Sequence, residues 1–187
     1  MSILRRDQMK RILIIGGNGS GKTTMSVELA KITKLPLCHL DSLYWTDGWV
    51  PRERGEFLSL LEEKLMEPEW ILDGNMRRSL PTRLKYCDTV IYLDFSACSC
   101  FAGVLKRLWQ NRGKSRPDMG GECIEGFNSR SLKFLFSTLS FNRKNRKYFY
   151  LEISKHPNVK LIVLKRRREV KAFLKSLNTE YCKQLFT

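Results

Sequence analysis

The chain has 187 residues, of which 42% are hydrophobic and 11% aromatic, and this length fits a single globular domain over residues 1–187. No apolar run approaches the roughly 20 residues of a membrane span, and the N-terminal stretch lacks the apolar core of a secretory signal. The six cysteines include no C-x-x-C pair, which favours reduced, buried thiols over a zinc site or a disulfide framework. We therefore expect a cytoplasmic protein, monomeric or dimeric, that does not enter a membrane.

The net charge of +15 is concentrated in the second half of the chain. Residues 101–187 hold 20 Lys and Arg against 6 Asp and Glu, a net of +14, whereas residues 1–100 hold 14 against 13. Such asymmetry predicts a polyanionic partner, either nucleic acid or a phosphorylated small molecule. A solvated basic face without a ligand is the alternative.

Short apolar runs alternate with helical patterns along the chain. The runs are rich in Ile, Val and Leu, which is typical of parallel strands buried on both faces. The five predicted strands are RILIIG (11–16), LPLCHLD (35–41), EWILDG (69–74), DTVIYLDF (88–95) and NVKLIVLK (158–165). The predicted helices lie at 21–34, at 52–67, in the long basic stretch between the fourth and fifth strands, and at 167–177. With right-handed crossovers, this order predicts a doubly wound α/β sheet.

One stretch interrupts the alternation. Residues 110–130 are rich in Gly, Arg and polar residues and have little helical period. Loops of this length in compact domains are often functional, and we interpret residues 112–130 as a lid.

The first strand runs into GGNGSGKTT, which matches the phosphate-binding pattern G-x-x-x-x-G-K-[ST]. Backbone N–H groups of such a turn form an anion nest, and the positive end of the following helix adds to it. We expect Lys22 to reach the β- and γ-phosphates of ATP and the Thr23 hydroxyl to ligate Mg²⁺. The predicted ATP-binding residues of this loop are Gly16, Gly17, Asn18, Gly19, Ser20, Gly21, Lys22, Thr23 and Thr24.

The residues that follow the second strand are candidates for binding an acceptor, because ligands of open α/β sheets bind at the carboxyl ends of strands. Asp41 is predicted to hold an acceptor hydroxyl or to act as general base, with helix N-capping as the alternative. Beside it, Tyr44, Trp45 and Trp49 either stack on an acceptor base or form a small satellite core under a loop.

Two other polar residues near strand ends have structural interpretations. His39 lies within a strand pattern and is predicted to be a satisfied core histidine. Asp94, after the fourth strand, is predicted to be a structural turn residue. The fifth strand is followed by four consecutive cations at 165–168.

The segment ILDGNMRR resembles the D-G-F-P-R segment of adenylate kinases, with Asp73 and Arg77 in matching places. A larger set of segments comprises HLDSLYWTDGWVPRERGEF, WILDGN, LPTRLKYCDTVIYLDF, VLKR and RPDM. Together they resemble a bacterial family of small adenylate-kinase-like P-loop proteins, often named DNA topology modulation proteins. The resemblance covers residues 11 to 175, almost the whole chain.

The resemblance implies the three-layer P-loop fold of nucleoside and nucleotide kinases. Its features are a parallel five-stranded sheet in the order 2-3-1-4-5, an acceptor-binding segment at 41–66 and a lid. Asp73 would hold Mg²⁺, through water, on the strand beside the phosphate loop, and Arg77 and Arg83 would contact acceptor phosphate or the transferring phosphoryl group. The lid-side cations would be Arg107, Arg112 and Arg116. The predicted catalytic residues are then Lys22, Asp41, Arg77 and Arg107.

Two places depart from the family pattern. Family members usually have Pro-Arg after LDF, where this chain has Ser96-Ala97, and they tend to have an arginine one turn before Arg107, where this chain has Gly103. The chain is therefore predicted to lack one or two cations on the donor side.

Two functional hypotheses follow. The first is a Mg²⁺-dependent, ATP-dependent kinase that transfers a phosphoryl group to a nucleotide or to a small hydroxylated metabolite. The second is a nucleic-acid-associated protein that binds ATP with little kinase activity, favoured by the basic second half. No helix-turn-helix, zinc finger or RNA-binding motif accompanies the basic segments, and no N-K-x-D sequence supports a switch GTPase.

Overall fold

The structure is a computed structural model, and it describes residues 9–115, 118–124 and 129–184. The strands are β1 (Arg11–Gly16), β2 (Leu37–His39), β3 (Trp45–Thr46), β4 (Val50–Pro51), β5 (Trp70–Asp73), β6 (Thr89–Leu93) and β7 (Lys160–Leu164). The helices are α1 (Lys22–Thr33), α2 (Leu40–Tyr44), α3 (Arg54–Met66), α4 (Leu80–Tyr86), α5 (Ala97–Gln110), α6 (Ser129–Ser154) and α7 (Arg167–Gln184). Short 3₁₀ turns lie at Asp47–Trp49 and Arg77–Ser79.

Five strands form a parallel sheet in the order β2-β5-β1-β6-β7. Counted along the chain without the short β3–β4 pair, this is the predicted order 2-3-1-4-5, so the predicted α/β fold class is confirmed. Asp73 of β5 lies opposite Ile14, and Leu93 of β6 lies opposite Gly16. The carboxyl ends of β5 and β6 therefore flank the start of the phosphate loop, residues 16–24.

Alternate residues of the central strand β1 enter two separate cores, which makes the fold three-layered. Ile12 and Ile14 pack with residues of α1 and α7 on one face of the sheet. Leu13 and Ile15 pack with residues of α2, α3, α4 and α6 on the other. All four side chains are fully buried, which explains why β1 is a continuous apolar run rather than an alternating one.

The basic stretch between the fourth and fifth core strands forms two helices, α5 and α6, which pack against each other. α5 begins after Ser96, whose hydroxyl accepts a hydrogen bond from the Ser99 N–H at 3.3 Å, an ordinary N-cap. Ser96 thus starts the helix.

A small antiparallel sheet lies inside residues 41–66, which sequence patterns did not predict. Trp45 pairs with Pro51 and Thr46 with Val50, around a turn in which Gly48 has φ 66°. α3 then begins after Glu53, whose carboxylate accepts hydrogen bonds from the N–H groups of Gly55 and Glu56. Within the described residues, no helix combines the length and the apolar content that crossing a membrane requires.

Candidate active site

The phosphate-binding pattern lies between β1 and α1, in the strand–loop–helix context that it requires. Gly19 and Gly21 have φ of 75° and 92°, a region that favours glycine. α1 begins at Lys22 directly after Gly21, whose carbonyl oxygen accepts a hydrogen bond from the Met25 N–H at 2.9 Å. The loop therefore presents main-chain N–H groups without Cβ atoms in the way, which fits a bound phosphate.

Lys22 lies over this loop and contacts its main chain. Its Nζ donates to the carbonyl oxygens of Gly16 at 3.0 Å and Gly17 at 3.1 Å. Burial lowers the pKa of the Lys22 ammonium, and the negative charges of Asp73 and Asp41 oppose that shift. The ammonium has three donors, so it is held beside the loop with one donor outside these two bonds.

Asp73 lies at the end of β5, beside the first turn of α1. Its side chain is buried; the Ser26 hydroxyl donates to Oδ2 at 2.7 Å, and His39 Nδ1 lies 2.9 Å from Oδ1. Thr23 Oγ1 donates to Asp118 Oδ2 at 3.3 Å. Hydroxyl and carboxylate oxygens are the ligands that Mg²⁺ prefers, so this donor set fits the predicted ion, with Thr23 and Asp73 as the residues that would hold it.

His39 is hydrogen-bonded, as predicted, but it is half-buried rather than part of the core, and its partner is a carboxylate of the site. Burial lowers the pKa of His39, but the hydrogen bond and charge of Asp73, with the charges of Asp118 and Asp41, outweigh burial and raise it. His39 thus fixes the orientation of Asp73 from the neighbouring strand.

The D-G-N segment connects β5 to the phosphate loop. Asn75 Oδ1 accepts a hydrogen bond from the Gly16 N–H at 3.0 Å, and its Nδ2 lies 3.5 Å from Asn18 Oδ1. Gly74 has φ 142°, and a Cβ atom there would lie 2.5 Å from Leu40 Cβ. These contacts explain the residue types of this segment, because only glycine leaves room for Leu40 and an amide can bridge to the loop.

Arg83 does not have the predicted role, because it is fully buried. Its guanidinium donates to the carbonyl oxygens of Gly74 at 2.9 Å, Asn75 at 3.0 Å and Met76 at 3.0 Å. Burial lowers the pKa of Arg83 to about 10. The prediction that Arg83 contacts acceptor phosphate is therefore wrong: Arg83 shapes the turn that carries Asn75.

A single cavity of about 1520 Å³ joins the phosphate loop to residues 41–58. Lys22, Thr23, Asp73, Asp41 and Arg77 all line it. The aromatic residues Tyr44, Trp45, Trp49 and Phe57 also line it. The structure thus brings most of the predicted catalytic and phosphate-binding residues to one space.

Asp41 lies in the first turn of α2 but does not cap it. The N-cap position belongs to His39, and no side chain caps this helix. Asp41 therefore does not have the alternative role of an N-cap, and it lines the cavity.

Tyr44, Trp45 and Trp49 line the cavity and form an aromatic wall, in which neighbouring rings pack edge to face. Ring centroids of Tyr44 and Trp45 are 4.9 Å apart, and those of Trp45 and Trp49 are 5.8 Å apart. They form the small satellite cluster that was one of the two alternatives, and they also border the cavity, so a stacking role stays a prediction.

Arg77 is exposed at the cavity, and its guanidinium lies 4.0 Å from the centre of the Tyr148 ring. The Tyr148 hydroxyl donates to the Arg77 carbonyl oxygen at 3.1 Å. Helix α6 therefore orients Arg77 through both its side chain and its main chain.

The described part of the predicted lid packs on residues 42–49. The Glu122 N–H donates to Asp47 Oδ1 at 2.6 Å, and the Gly48 N–H donates to the Glu122 carbonyl oxygen at 3.1 Å. Trp49 Nε1 donates to the Ile124 carbonyl oxygen at 3.1 Å. Asp118 of the same segment contacts Thr23. Residues 118–124 therefore contact both the phosphate loop and the segment that carries Trp45 and Trp49.

The three predicted lid-side cations differ in position. Arg107 lines the cavity, with its guanidinium 5.5 Å from the Phe134 ring centre. Arg112 is exposed beyond the end of α5 and does not line the cavity. Arg116 lies outside the described residues.

Sequence patterns missed two residues of the site, Asp118 and Arg167. Asp118 belongs to the R-P-D-M segment, but nothing in that segment indicates that its carboxylate approaches Thr23. Arg167 belongs to the run of cations after β7, and it donates to the Gly19 carbonyl oxygen at 3.3 Å. The run alone does not indicate which cation faces the loop.

Comparison with known proteins identifies the fold. No protein-family model matches the chain, and no curated protein was found to be similar to it. A gluconokinase from Sinorhizobium meliloti 1021 aligns with a TM-score of 0.52 and 14% identity, over 95% of this chain and 94% of that one. A shikimate kinase from Bacteroides thetaiotaomicron aligns with a TM-score of 0.52 and 14% identity, over 91% and 97%.

A third solved structure is the shikimate kinase from Acinetobacter baumannii in complex with shikimate. It aligns with a TM-score of 0.56 and 12% identity, over 94% of each chain. At these identities the likeness is one of fold: the chain has the architecture of small P-loop kinases over nearly its whole length.

Proposed function

We propose that this chain is an ATP-dependent, Mg²⁺-dependent phosphotransferase that acts on a nucleotide or on a small hydroxylated metabolite. The observation that carries the proposal is the cavity of about 1520 Å³. Its lining includes the phosphate loop with Lys22, the carboxylate of Asp41, the guanidinium of Arg77 and the aromatic residues Tyr44, Trp45 and Trp49. A cytoplasmic location, where ATP is supplied, follows from this proposal.

Phosphoryl transfer needs in-line positioning and positive charge on the equatorial oxygens more than it needs covalent help from the protein. Lys22 and the N–H groups of the loop would bind the β- and γ-phosphates. When bound, Mg²⁺ would neutralise charge on the phosphate oxygens, and Thr23 and Asp73 would hold it. The cations Arg77 and Arg107 line the same cavity and would stabilise the transferring group from the acceptor side and from α5.

Asp41 would act as general base. Its carboxylate accepts the proton of the acceptor hydroxyl as that oxygen bonds to the γ-phosphorus, and the bond from phosphorus to the β–γ bridging oxygen breaks to leave ADP. The charge of Asp41 contributes to the electrostatics at Lys22, which agrees with a position near the reacting groups.

Two observations bear on the acceptor. Solved structures with this fold include a gluconokinase and shikimate kinases, which favours a small hydroxylated acceptor. The segment 41–66 supplies the aromatic wall, and the cavity beside it also has Arg54, Arg77 and Arg78 at its border. These three positive charges near the aromatic wall favour an acceptor that carries a carboxylate or phosphate group.

Acceptor-dependent release of ADP tests the proposal. The purified chain is assayed with ATP and Mg²⁺ against a panel of nucleoside monophosphates, sugar acids and cyclic hydroxy acids. We expect turnover with at least one class, and a loss of about 100-fold or more in kcat for Asp41→Asn, in line with the 10²–10⁴ contributed by general bases. Glu53→Gln, in an exposed helix cap outside the cavity, serves as the control variant. Equal ADP release with and without every acceptor would contradict the proposal.

A second candidate, association with nucleic acid, is favoured by one observation: exposed cations of α6, such as Arg143, Lys144 and Lys147, add to the basic second half. Binding of duplex DNA measured across salt concentrations tests it. Several phosphate contacts predict a steep linear fall of log affinity with log salt, and a slope near zero would remove this candidate.

A further inference from the structure

Arg167 contacts the phosphate loop at Gly19. It is the first residue of α7, after the carboxyl end of β7, and it lines the cavity. Its Nη2 donates to the Gly19 carbonyl oxygen at 3.3 Å, and its guanidinium carbon lies 5.8 Å from the Phe95 ring centre. An element outside the loop and helix of the phosphate-binding pattern therefore brings a cation to the loop.

Helix α5 leaves room for this side chain because it has a glycine at the crossing. A Cβ atom at Gly103 would overlap the carbonyl oxygen of Gly19 and would lie 3.0 Å from Arg167 Nη2. A Cβ atom at Gly19 would in turn lie 2.6 Å from the Val104 nitrogen of α5. The two glycines let the helix and the loop touch, and the guanidinium occupies the space beside their contact.

The observed contacts of Arg167 use few of its hydrogen-bond donors. Arg167 has five N–H donors, and a single 3.3 Å bond to a carbonyl at an exposed position is at the weak end of hydrogen bonding. No carboxylate in the described ranges pairs with Arg167. Asp94, the acidic residue after β6, is instead paired with Arg146 at 2.8 Å and with the Tyr150 hydroxyl at 3.2 Å.

We propose that Arg167 is a binding residue for the polyphosphate chain of the nucleotide donor. Its planar fork matches two phosphate oxygens at once, and it already contacts the loop at Gly19. This inference rests on the proposed function, since it assumes that the loop binds nucleotide phosphates. In this proposal the turn after β7 supplies a positive charge on the donor side, where Ala97 and Gly103 have none.

Calorimetric titration with a non-hydrolysable ATP analogue and Mg²⁺ tests the inference, with inorganic tripolyphosphate as a second probe that has no base. We expect Arg167→Ala to weaken both ligands by about 10-fold, the usual scale for one charge-assisted contact. Arg167→Lys keeps the charge but not the fork and should fall in between. Arg168→Ala is the matched control, since Arg168 is an equally exposed neighbour that does not line the cavity.

The outcomes separate this inference from the proposed function. If the wild-type chain binds neither probe, the proposed function fails, and the inference fails with it. If wild type binds, Lys22→Ala loses binding and Arg167→Ala binds as tightly as wild type, only the inference is overturned. Equal weakening by Arg167→Ala and Arg168→Ala also overturns it, because general surface charge would then account for the effect. Thermal unfolding of each variant confirms that it is folded, and Arg167→Lys supplies the test if Arg167→Ala is not.

Discussion

Gly103 of helix α5 lies directly against the carbonyl oxygen of Gly19 in the phosphate loop, with no side chain between the two. A glycine inside a helix normally costs about 1 kcal/mol relative to alanine. Here glycine is needed because the helix crosses the loop at this residue and a side chain would not fit. The contact packs the main chain of α5 directly against the loop.

Replacement of Gly103 by alanine should destabilise the protein, although helix propensity alone predicts a gain of about 1 kcal/mol. The added methyl group overlaps main-chain atoms, and overpacking of this kind costs about 1–3 kcal/mol. We expect a lower unfolding temperature and weaker binding of an ATP analogue. The control is Ala102→Gly, one residue earlier on an exposed face, which should lower stability without changing affinity. A rise in unfolding temperature with unchanged affinity for Gly103→Ala would refute the argument.

Replacement of Lys22 by alanine should weaken binding of an ATP analogue by roughly 10- to 100-fold, the scale of one charged hydrogen-bonding group. The ammonium already lies over the loop, bonded to the Gly16 and Gly17 carbonyl oxygens. Calorimetry measures the change. Lys31→Ala is the control, because Lys31 lies on the same helix in an exposed pair with Glu28 at 2.8 Å. Unchanged affinity in Lys22→Ala would contradict the assigned role.

Replacement of Arg83 by methionine should destabilise the fold by at least about 3 kcal/mol, because three buried carbonyl oxygens lose their donors together. Urea denaturation measures this change in the free energy of unfolding. The control is Arg78→Met at an exposed position, where a change within about 0.5 kcal/mol is expected. Similar midpoints for the two variants would show that Arg83 is not the support of the Asn75 turn.

The His39–Asp73 pair predicts a pH dependence of stability. The folded state raises the pKa of His39, so the pair stabilises the fold fully below the unfolded value of about 6.5. That contribution is lost as the pH rises through the folded pKa. In buffer free of divalent cations, wild type should lose stability over this range, and His39→Gln should lose less. Parallel stability–pH profiles for the two proteins would rule out the pair as the cause.

The thiols should differ in reactivity according to burial. Cys98 and Cys182 are exposed, whereas the other four cysteines are buried. Burial raises the pKa of Cys38 to about 11 and that of Cys87 to about 12, which leaves little thiolate at pH 8. An aromatic disulfide reagent should modify two thiols rapidly in the native protein and all six after denaturation. A fast phase that persists in the Cys98→Ser, Cys182→Ser double variant would contradict this assignment.

The sheet was predictable because its three central strands, β1, β5 and β6, are almost entirely buried. Ile12 to Ile15 all enter a core, so the apolar run has no polar interruption. The glycine-rich turn after this strand then indicates a phosphate-binding loop. The short β3–β4 pair was not predictable. Its strands are two residues long and depend on the packing of Trp45 and Trp49 rather than on local propensity.

The site was predictable where a motif constrains the chain and not where packing decides. Lys22 and Thr23 follow from the spacing of the phosphate-binding pattern, and Asp73 follows from the family resemblance; all three line one cavity. The burial of Arg83 arises only when α4 packs beside residues 74–76, and an arginine at that position reads as a surface cation in the sequence. The contacts of Asp118 and Arg167 likewise connect segments 95 and 148 residues apart, which no local pattern records.

The central place of β1 also has a consequence for synthesis on the ribosome. β1 is complete at residue 16, but both of its neighbours, β5 and β6, are translated later, the second ending at residue 93. At about 5–20 residues per second, the nascent phosphate loop waits several seconds for the strands and the Asn75 amide that hold its shape. During that interval the strand is unpaired and its apolar run from Ile12 to Ile15 is exposed, and we expect a chaperone that binds extended apolar peptides to recognise residues 11–16 first.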